Sequence, residues 1–483
     1  MREDKTELGG HHAYSLWFGG RCRWEALEGL KEGGDRAPRN MKMEIMSKTT
    51  FMVKPLDQES KGYLPLSEWD QTSDITHASA IYFFKPSRDL DGLIESLTDS
   101  LSRVLVPFYP VAGRLRWTEG SRLLLECNSA GVEFTAAKLN CGLDQLGDFT
   151  PCPEYEWLVP EVDYSKPIWE LPLFLVKVVM FKCGGFTLTY SMSHAIGDGQ
   201  SAMHFVSEWA RMARGEPLKI PPYFDRDVLA SPASTSLKGR LVEFVPPPVL
   251  LGRTDGVEEQ ENETMSFMMK LTKSQVDRLK NNANQPPRNG RPYSRYECVA
   301  GHMWRCVTKA RKHEPDQQTS FFVCVDFRNK MIPPVRPGYF GNAVLDVAAT
   351  SYSGDLVSKP LGYAASRIRM AIDKVTREHV WSLAEYFRQQ PDWSLFQDLH
   401  PSGSEDGLFY GNPNFGGTSW LTLPMYGEDF GWGKVAFIAP GIHDYDGDSV
   451  MFEMPDGSGI IASLVLQVRH VDDFRKYFYE DIP

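Results

Sequence analysis

The sequence lacks a surplus of positive charge: 63 acidic residues outweigh 52 lysines and arginines, for a net charge of -11 and a pI near 5.6. That balance gives no footing for nucleic-acid binding. It has no CxxC pair. Its eight cysteines (Cys22, Cys127, Cys141, Cys152, Cys183, Cys298, Cys306 and Cys324) are scattered along 483 residues, which reads as free thiols in a reducing compartment rather than a disulfide framework. No uninterrupted apolar run is long enough to cross a bilayer. The opening MREDKTELGG mixes both charge signs and holds no apolar h-region, so it does not read as a secretory signal. The expected location is cytoplasmic, with no membrane and no nucleic-acid partner.

What is present is an ordinary globular composition, 42% hydrophobic and 24% charged, in a chain too long for one core. Residues 1–42 have little apolar period and many glycines and charges. They read as a disordered extension or as a start placed too far upstream, with Met41 or Met43 as the alternative beginning. Residues 43–235 read as a first domain, 236–263 as a crossover containing VPPPVL and EEQENE, and 264–483 as a second domain. The pattern predicts a strand over His77 to Pro86, then an amphipathic helix with Leu93, Leu97, Leu101, Val104 and Leu105 on one face. Leu173–Phe181 and Phe186–Ser193 read as a hairpin turned by Cys183-Gly184-Gly185. A helix follows, with Ala202, Phe205, Val206, Trp209, Met212 and Ala213 at helical spacing. In the second half MSFMMKLT and FFVCVDF read as strands. Helices are expected around Lys273–Lys280, Tyr296–Lys312 and from Leu361 to Glu378.

The hairpin delivers His194-Ala195-Ile196-Gly197-Asp198-Gly199 to a strand-to-helix loop. An imidazole at a strand end is suited to general-base work near neutral pH, and the same residue in a plainer role would only cap the strand. HxxxDG arises by chance in roughly one such chain in fifteen or twenty, so alone it decides little. Other chemistries fit less well. Ser191 and Ser193 lack the GxSxG elbow of a serine nucleophile. His194, Asp198 and His204 lack the spacing of a metal site, and no metal is expected. His302 and His470 read as structural.

Near the C-terminus stands Asp429-Phe430-Gly431-Trp432-Gly433, a five-residue match expected by chance in roughly one chain per few thousand. HxxxDG followed by DFGWG resembles the plant BAHD acyltransferases. FYPVAGRL (Phe108–Leu115), YECVAGHMWR (Tyr296–Arg305) and RPGYFGNAV (Arg336–Val344) agree, and the resemblance runs from Lys48 to Pro483. It implies an α/β fold of two similar-sized chloramphenicol acetyltransferase-like domains with mixed sheets and a central channel. It also implies no permanent cofactor, an acyl-CoA co-substrate and a monomer. His194 would be the base, and the indole of Trp432 a candidate donor to the oxyanion. Asp198, Gly199, Asp429, Gly431 and Gly433 would be structural. Condensation domains of peptide synthetases carry a second histidine where this chain has Ser193.

For the acceptor, Thr422 stands where the shikimate and quinate hydroxycinnamoyltransferases use an arginine, and a threonine cannot grip a carboxylate in two-pronged fashion. Ala78 and Ala80 replace hydroxyls of that subgroup, while Tyr82 is retained. Asp444, Asp446 and Asp448 form an acidic run, and the segment resembles spermidine hydroxycinnamoyltransferases, as do LPLSEWDQ (Leu64–Gln71), RMARGEP (Arg211–Pro217) and DFRNKMIPP (Asp326–Pro334). The expected reaction is therefore transfer from a hydroxycinnamoyl-CoA to spermidine or a related polyamine, with Tyr82, Thr422 and the three aspartates on the acceptor side. Lys270, Ser294 and Arg295 are the expected coenzyme A contacts. Two other readings stay open: an O-acyltransferase for an alcohol, and a non-catalytic binding protein of the same fold.

Overall fold

The computed structural model describes residues 44–86, 90–147, 149, 153–230, 262–286, 290–393, 411–441 and 445–483. The strands are β1 (Ile45–Val53), β2 (Tyr63–Pro65), β3 (His77–Phe84), β4 (Arg114–Thr118), β5 (Arg122–Glu126), β6 (Val132–Leu139), β7 (Phe174–Phe181) and β8 (Phe186–Ser193). They continue with β9 (Thr264–Thr272), β10 (Gln318–Asp326), β11 (Val344–Tyr352), β12 (Phe415–Ser419), β13 (Phe437–Pro440), β14 (Ser449–Glu453) and β15 (Gly459–Gln467). The helices are α1 (Glu68–Gln71), α2 (Leu93–Val104), α3 (Gly199–Ala213), α4 (Lys273–Ala283), α5 (Arg295–Arg311), α6 (Ser353–Ser358), α7 (Leu361–Lys374), α8 (Arg377–Arg388) and α9 (Val468–Glu480).

Two mixed six-stranded sheets organise these elements, in the orders β1-β6-β7-β8-β3-β13 and β11-β10-β12-β14-β15-β9, with a small sheet β2-β5-β4 beside them. The two-residue period of a strand explains the layering. On β8, Phe186, Leu188, Tyr190 and Met192 turn toward α2 and α3, whose Leu97, Leu101, Phe205 and Trp209 complete one core. In β9, Met265, Phe267, Met269 and Leu271 turn toward the helices of the second half. Between the sheets lies a third apolar layer, with Ile81, Phe83 and Phe437 from the first facing Val450, Phe452 and Ile461 from the second. The result is an α/β fold of two halves, each a mixed sheet backed by helices.

The chain does not divide as simply as the expected boundaries. Strand β13 comes from the second half of the sequence but pairs with β3, Phe437 opposite Phe83 and Pro440 opposite Ala80. The expected helix from Leu361 to Glu378 is two helices, because Thr376 accepts the N–H of His379 at 3.2 Å and caps a new start. Residues 1–42 and the crossover from 236 to 261, with all of EEQENE but its last two residues, lie outside the described residues.

Candidate active site

His194 is placed by its neighbours in sequence and by two distant segments. Strand β8 ends at Ser193, whose hydroxyl donates to Ile75 O at 2.9 Å. The His194 N–H donates to Thr76 O at 3.0 Å, and its carbonyl accepts from Asn342 Nδ2 at 2.7 Å. The chain then makes one 3-10 turn, His194–Ile196, and enters α3. Its imidazole is thus carried by a backbone clamped on both sides, and the residue remains half-exposed.

Asp198 is turned away into a brace. It caps α3 by accepting the Ser201 N–H at 3.0 Å, accepts the Ala343 N–H at 2.9 Å, and pairs with Arg328 at 2.8 Å. Burial alone would raise its pKa; the Arg328 guanidinium, with both N–H donors, outweighs burial and holds it below the usual carboxylate value. Arg328 follows β10, so this buried pair ties the loop between β8 and α3 in the first half to the second sheet.

A cavity of about 230 Å³ lies against this end of the first sheet, lined by His77, Ser79, Ser191, Val159, Pro160, Val162 and Tyr164. His77 could compete with His194 for the role of base, but both ring nitrogens are engaged. Nε2 donates to Pro172 O at 2.8 Å, which leaves Nδ1 to accept from the Tyr164 hydroxyl at 3.0 Å. Burial, partly offset by that carbonyl, pushes its pKa down to about 4, so it is a neutral fixture. The Ser79 and Ser191 hydroxyls bond each other at 2.6 Å. No sequence pattern singles out His77, because only the register, His77 opposite Ser193, brings it beside His194.

Several expected site residues go elsewhere. Tyr82 is fully buried with its hydroxyl on Met203 Sδ at 3.2 Å, in the core below α3, so it is no acceptor contact here. Asp446 accepts from Arg311 Nη2 at 2.9 Å, the Asn412 N–H at 2.9 Å and the Gln467 N–H at 3.0 Å. A carboxylate so fully used is a structural ion pair rather than a holder of ammonium groups. Asp448 is half-buried beside it, and Asp444 lies outside the described residues.

Thr422 is exposed on the loop leaving β12, and the same loop lays Leu423 over Gly199: a Cβ there would stand 3.5 Å from Leu423 Cδ1. Lys270, Ser294 and Arg295 gather at the end of the second sheet from which that loop departs. Arg295 pairs with Glu453 at 2.9 Å, while Glu453 and Lys270 flank β15 opposite Ile460 and Ile461. Ser294 also has a local duty, capping α5 through Glu297.

The DFGWG segment is a tight turn. The Asp429 carboxylate accepts the N–H groups of Gly431 at 2.7 Å and Gly433 at 3.1 Å, at backbone φ of 99° and 96° that only glycine adopts without strain. Phe430 packs edge-on against Trp209 at 4.9 Å, the Asp429 carbonyl accepts from Arg214, and the Ala436 N–H reaches Phe83 O at 2.8 Å. Those contacts mark the far ends of α3 and β3 from His194, on the order of 20 Å away by the rise of a helix or strand. The expected oxyanion role of Trp432 therefore fails; its indole is buried in the first core. Losing a true oxyanion donor costs about 10²–10³ in kcat, and Trp432→Phe should show none of that in a steady-state assay.

The fold and the clamped histidine define a two-sheet acyltransferase architecture, and comparison agrees. A family model described as Transferase family matches residues 41–481. The chain is 41% identical over 448 residues to a hydroxycinnamoyl-CoA:piscidic acid hydroxycinnamoyltransferase of Actaea racemosa, covering 91% of this chain and 100% of that one. It is 36% identical over 446 residues to a shikimate O-hydroxycinnamoyltransferase of Nicotiana tabacum, again covering 91% and 100%. The fold matches F. graminearum TRI101 complexed with coenzyme A and deoxynivalenol, with a TM-score of 0.72 at 16% identity, covering 86% and 97% of the two chains. The chain belongs to the Transferase family, the BAHD acyltransferases that its two motifs resemble. Membership makes it a CoA-dependent acyltransferase.

Proposed function

We propose that this protein transfers a hydroxycinnamoyl group from a coenzyme A thioester to a hydroxyl of a small acceptor, with His194 as general base and no acyl-enzyme. The observation that supports the reading is His194 itself, half-buried where β8 ends, with its backbone N–H held by Thr76 O and its carbonyl by Asn342 Nδ2, one strand away from His77 of the lined cavity. His194 takes the acceptor proton as the oxygen attacks the thioester carbonyl. The tetrahedral intermediate then expels the coenzyme A thiolate, which recovers the proton from the imidazolium. Coenzyme A approaches from the side of Lys270, Ser294 and Arg295, and Thr422 borders the acceptor. The protein acts as a cytoplasmic monomer.

Two relatives named for hydroxycinnamoyl transfer, one to piscidic acid and one to the oxygen of shikimate, support the donor and an oxygen nucleophile. The polyamine acceptor expected from the aspartates loses its main support with Asp446 committed to Arg311. Caffeoyl-, feruloyl- and coumaroyl-CoA offered against piscidic acid, shikimate, a long-chain alcohol and spermidine, with products read by mass spectrometry, test the reading. Esters are the expected products; spermidine amides as the main product would restore the amine reading and overturn this one.

A further inference from the structure

The LPLSEWDQ segment carries a residue whose part in catalysis no motif announces. Asp70, in the one-turn helix α1, is fully buried, a costly place for a charge unless every oxygen is satisfied. Its Oδ2 accepts from the Ser67 N–H at 3.0 Å, the Ser67 hydroxyl at 2.9 Å and Arg226 Nε at 2.9 Å. Its Oδ1 accepts from Asn342 twice, from the backbone N–H at 2.8 Å and from Nδ2 at 2.9 Å. The same Nδ2 donates its other proton to the carbonyl of His194. Just beyond α1, Ile75 and Thr76 supply the carbonyls that receive the Ser193 hydroxyl and the His194 N–H. Both grips on the His194 backbone thus return to one segment, residues 70–76, and Arg226 locks that segment to the 340–342 loop through Phe340 O.

We propose that Asp70 and Asn342 are positioning residues for His194: Asp70 orients the Asn342 amide, and the amide fixes the carbonyl from which the imidazole is aimed. This rests on His194 being the base. A base must lie within hydrogen-bond reach of its proton, and a displacement of about 1 Å can cost on the order of 100-fold in rate. Asn342→Ala removes both amide N–H donations, to Asp70 and to the His194 carbonyl, and leaves the Asp70 contact to the backbone N–H; Asp70→Asn removes the charge and puts a donor where donors already crowd.

The test joins two measurements on the full chain. Amide hydrogen exchange at residues 194–197, which needs no substrate, should speed up at least about tenfold in Asn342→Ala while the middle of α3 keeps its protection. In the acyl-transfer assay the same variant should lose roughly 10- to 100-fold in kcat with KM for acyl-CoA within about threefold, and Asp70→Asn added to it should cost less than its effect alone. Unchanged exchange at 194–197, or a folded Asn342→Ala with kcat within about threefold of the parent, or a loss confined to KM, overturns the proposal. A parent chain that turns over no acyl-CoA would count against the proposed function, while the exchange result still decides whether Asn342 holds the loop. Should Asp70→Asn fail to fold, Asn342→Ala alone decides.

Discussion

Replacing His194 by alanine is expected to lower kcat by about 10²–10⁴-fold, the usual range for a positioned general base, and to leave coenzyme A binding within a small factor. The expectation is sharp because the structure leaves few substitutes. His77, brought beside His194 by the strand register, has both nitrogens engaged and is kept neutral by burial. The Ser193 hydroxyl is spent on Ile75, and that of Ser191 is paired with Ser79. His204, the other imidazole of the segment, donates to Ile220 O at 2.8 Å and packs on Phe108. Single-turnover kinetics with a hydroxycinnamoyl-CoA, together with calorimetric binding of coenzyme A, separate the chemical step from binding. A variant that keeps more than about a tenth of the parental rate would mean that the acceptor loses its proton without an imidazole. A parent that binds the thioester but transfers nothing would point instead to a binding protein.

How far the sequence leads can be judged from particular residues. The hairpin was legible because Gly184-Gly185 turns the chain between two apolar runs, and Phe186, Leu188, Tyr190 and Met192 alternate toward one core. Leu97 and Leu101 marked the buried face of α2 because the helical period puts them one turn apart. Within β7, Lys177 sits in an apolar run and is buried; it is accommodated only because its ammonium donates to Val159 O at 2.9 Å, a partner no local pattern reveals. The HxxxDG motif singles out His194, while DFGWG puts Trp432 in the first core far from it, since a motif gives composition and not distance. The acidic run at 444–448 suggested a cation site, whereas Asp446 answers to Arg311, 135 positions earlier. Asp70 shows the same limit: its partners Arg226 and Asn342 lie 156 and 272 positions away, and only the folded chain brings the three together.

The largest stability effect is expected at Arg328. Its pair with Asp198 has side chains only 6% and 2% exposed, and it joins the cap of α3 to the loop that follows β10. Arg328→Met removes the cation and leaves a buried carboxylate, a change that costs about 3–5 kcal/mol. The pH dependence gives the mechanism a distinct signature. In the parent, the Asp198 pKa lies below its unfolded value, so its contribution is present above the ordinary carboxylate range and is lost as pH falls through the depressed folded value. Without Arg328, burial dominates and the carboxyl titrates above its unfolded value; the variant then loses stability as pH rises through that window. Its deficit should be greatest at neutral pH and shrink below about pH 4, where the buried group is protonated in both states. Adding Asp198→Asn to Arg328→Met removes the stranded charge and should recover part of the loss. Denaturant unfolding of parent, single and double variants at pH 7 and pH 4 decides the matter. A deficit independent of pH, with no recovery in the double variant, would mean that Arg328 contributes by packing, through its place over the Tyr339 ring, and not by charge.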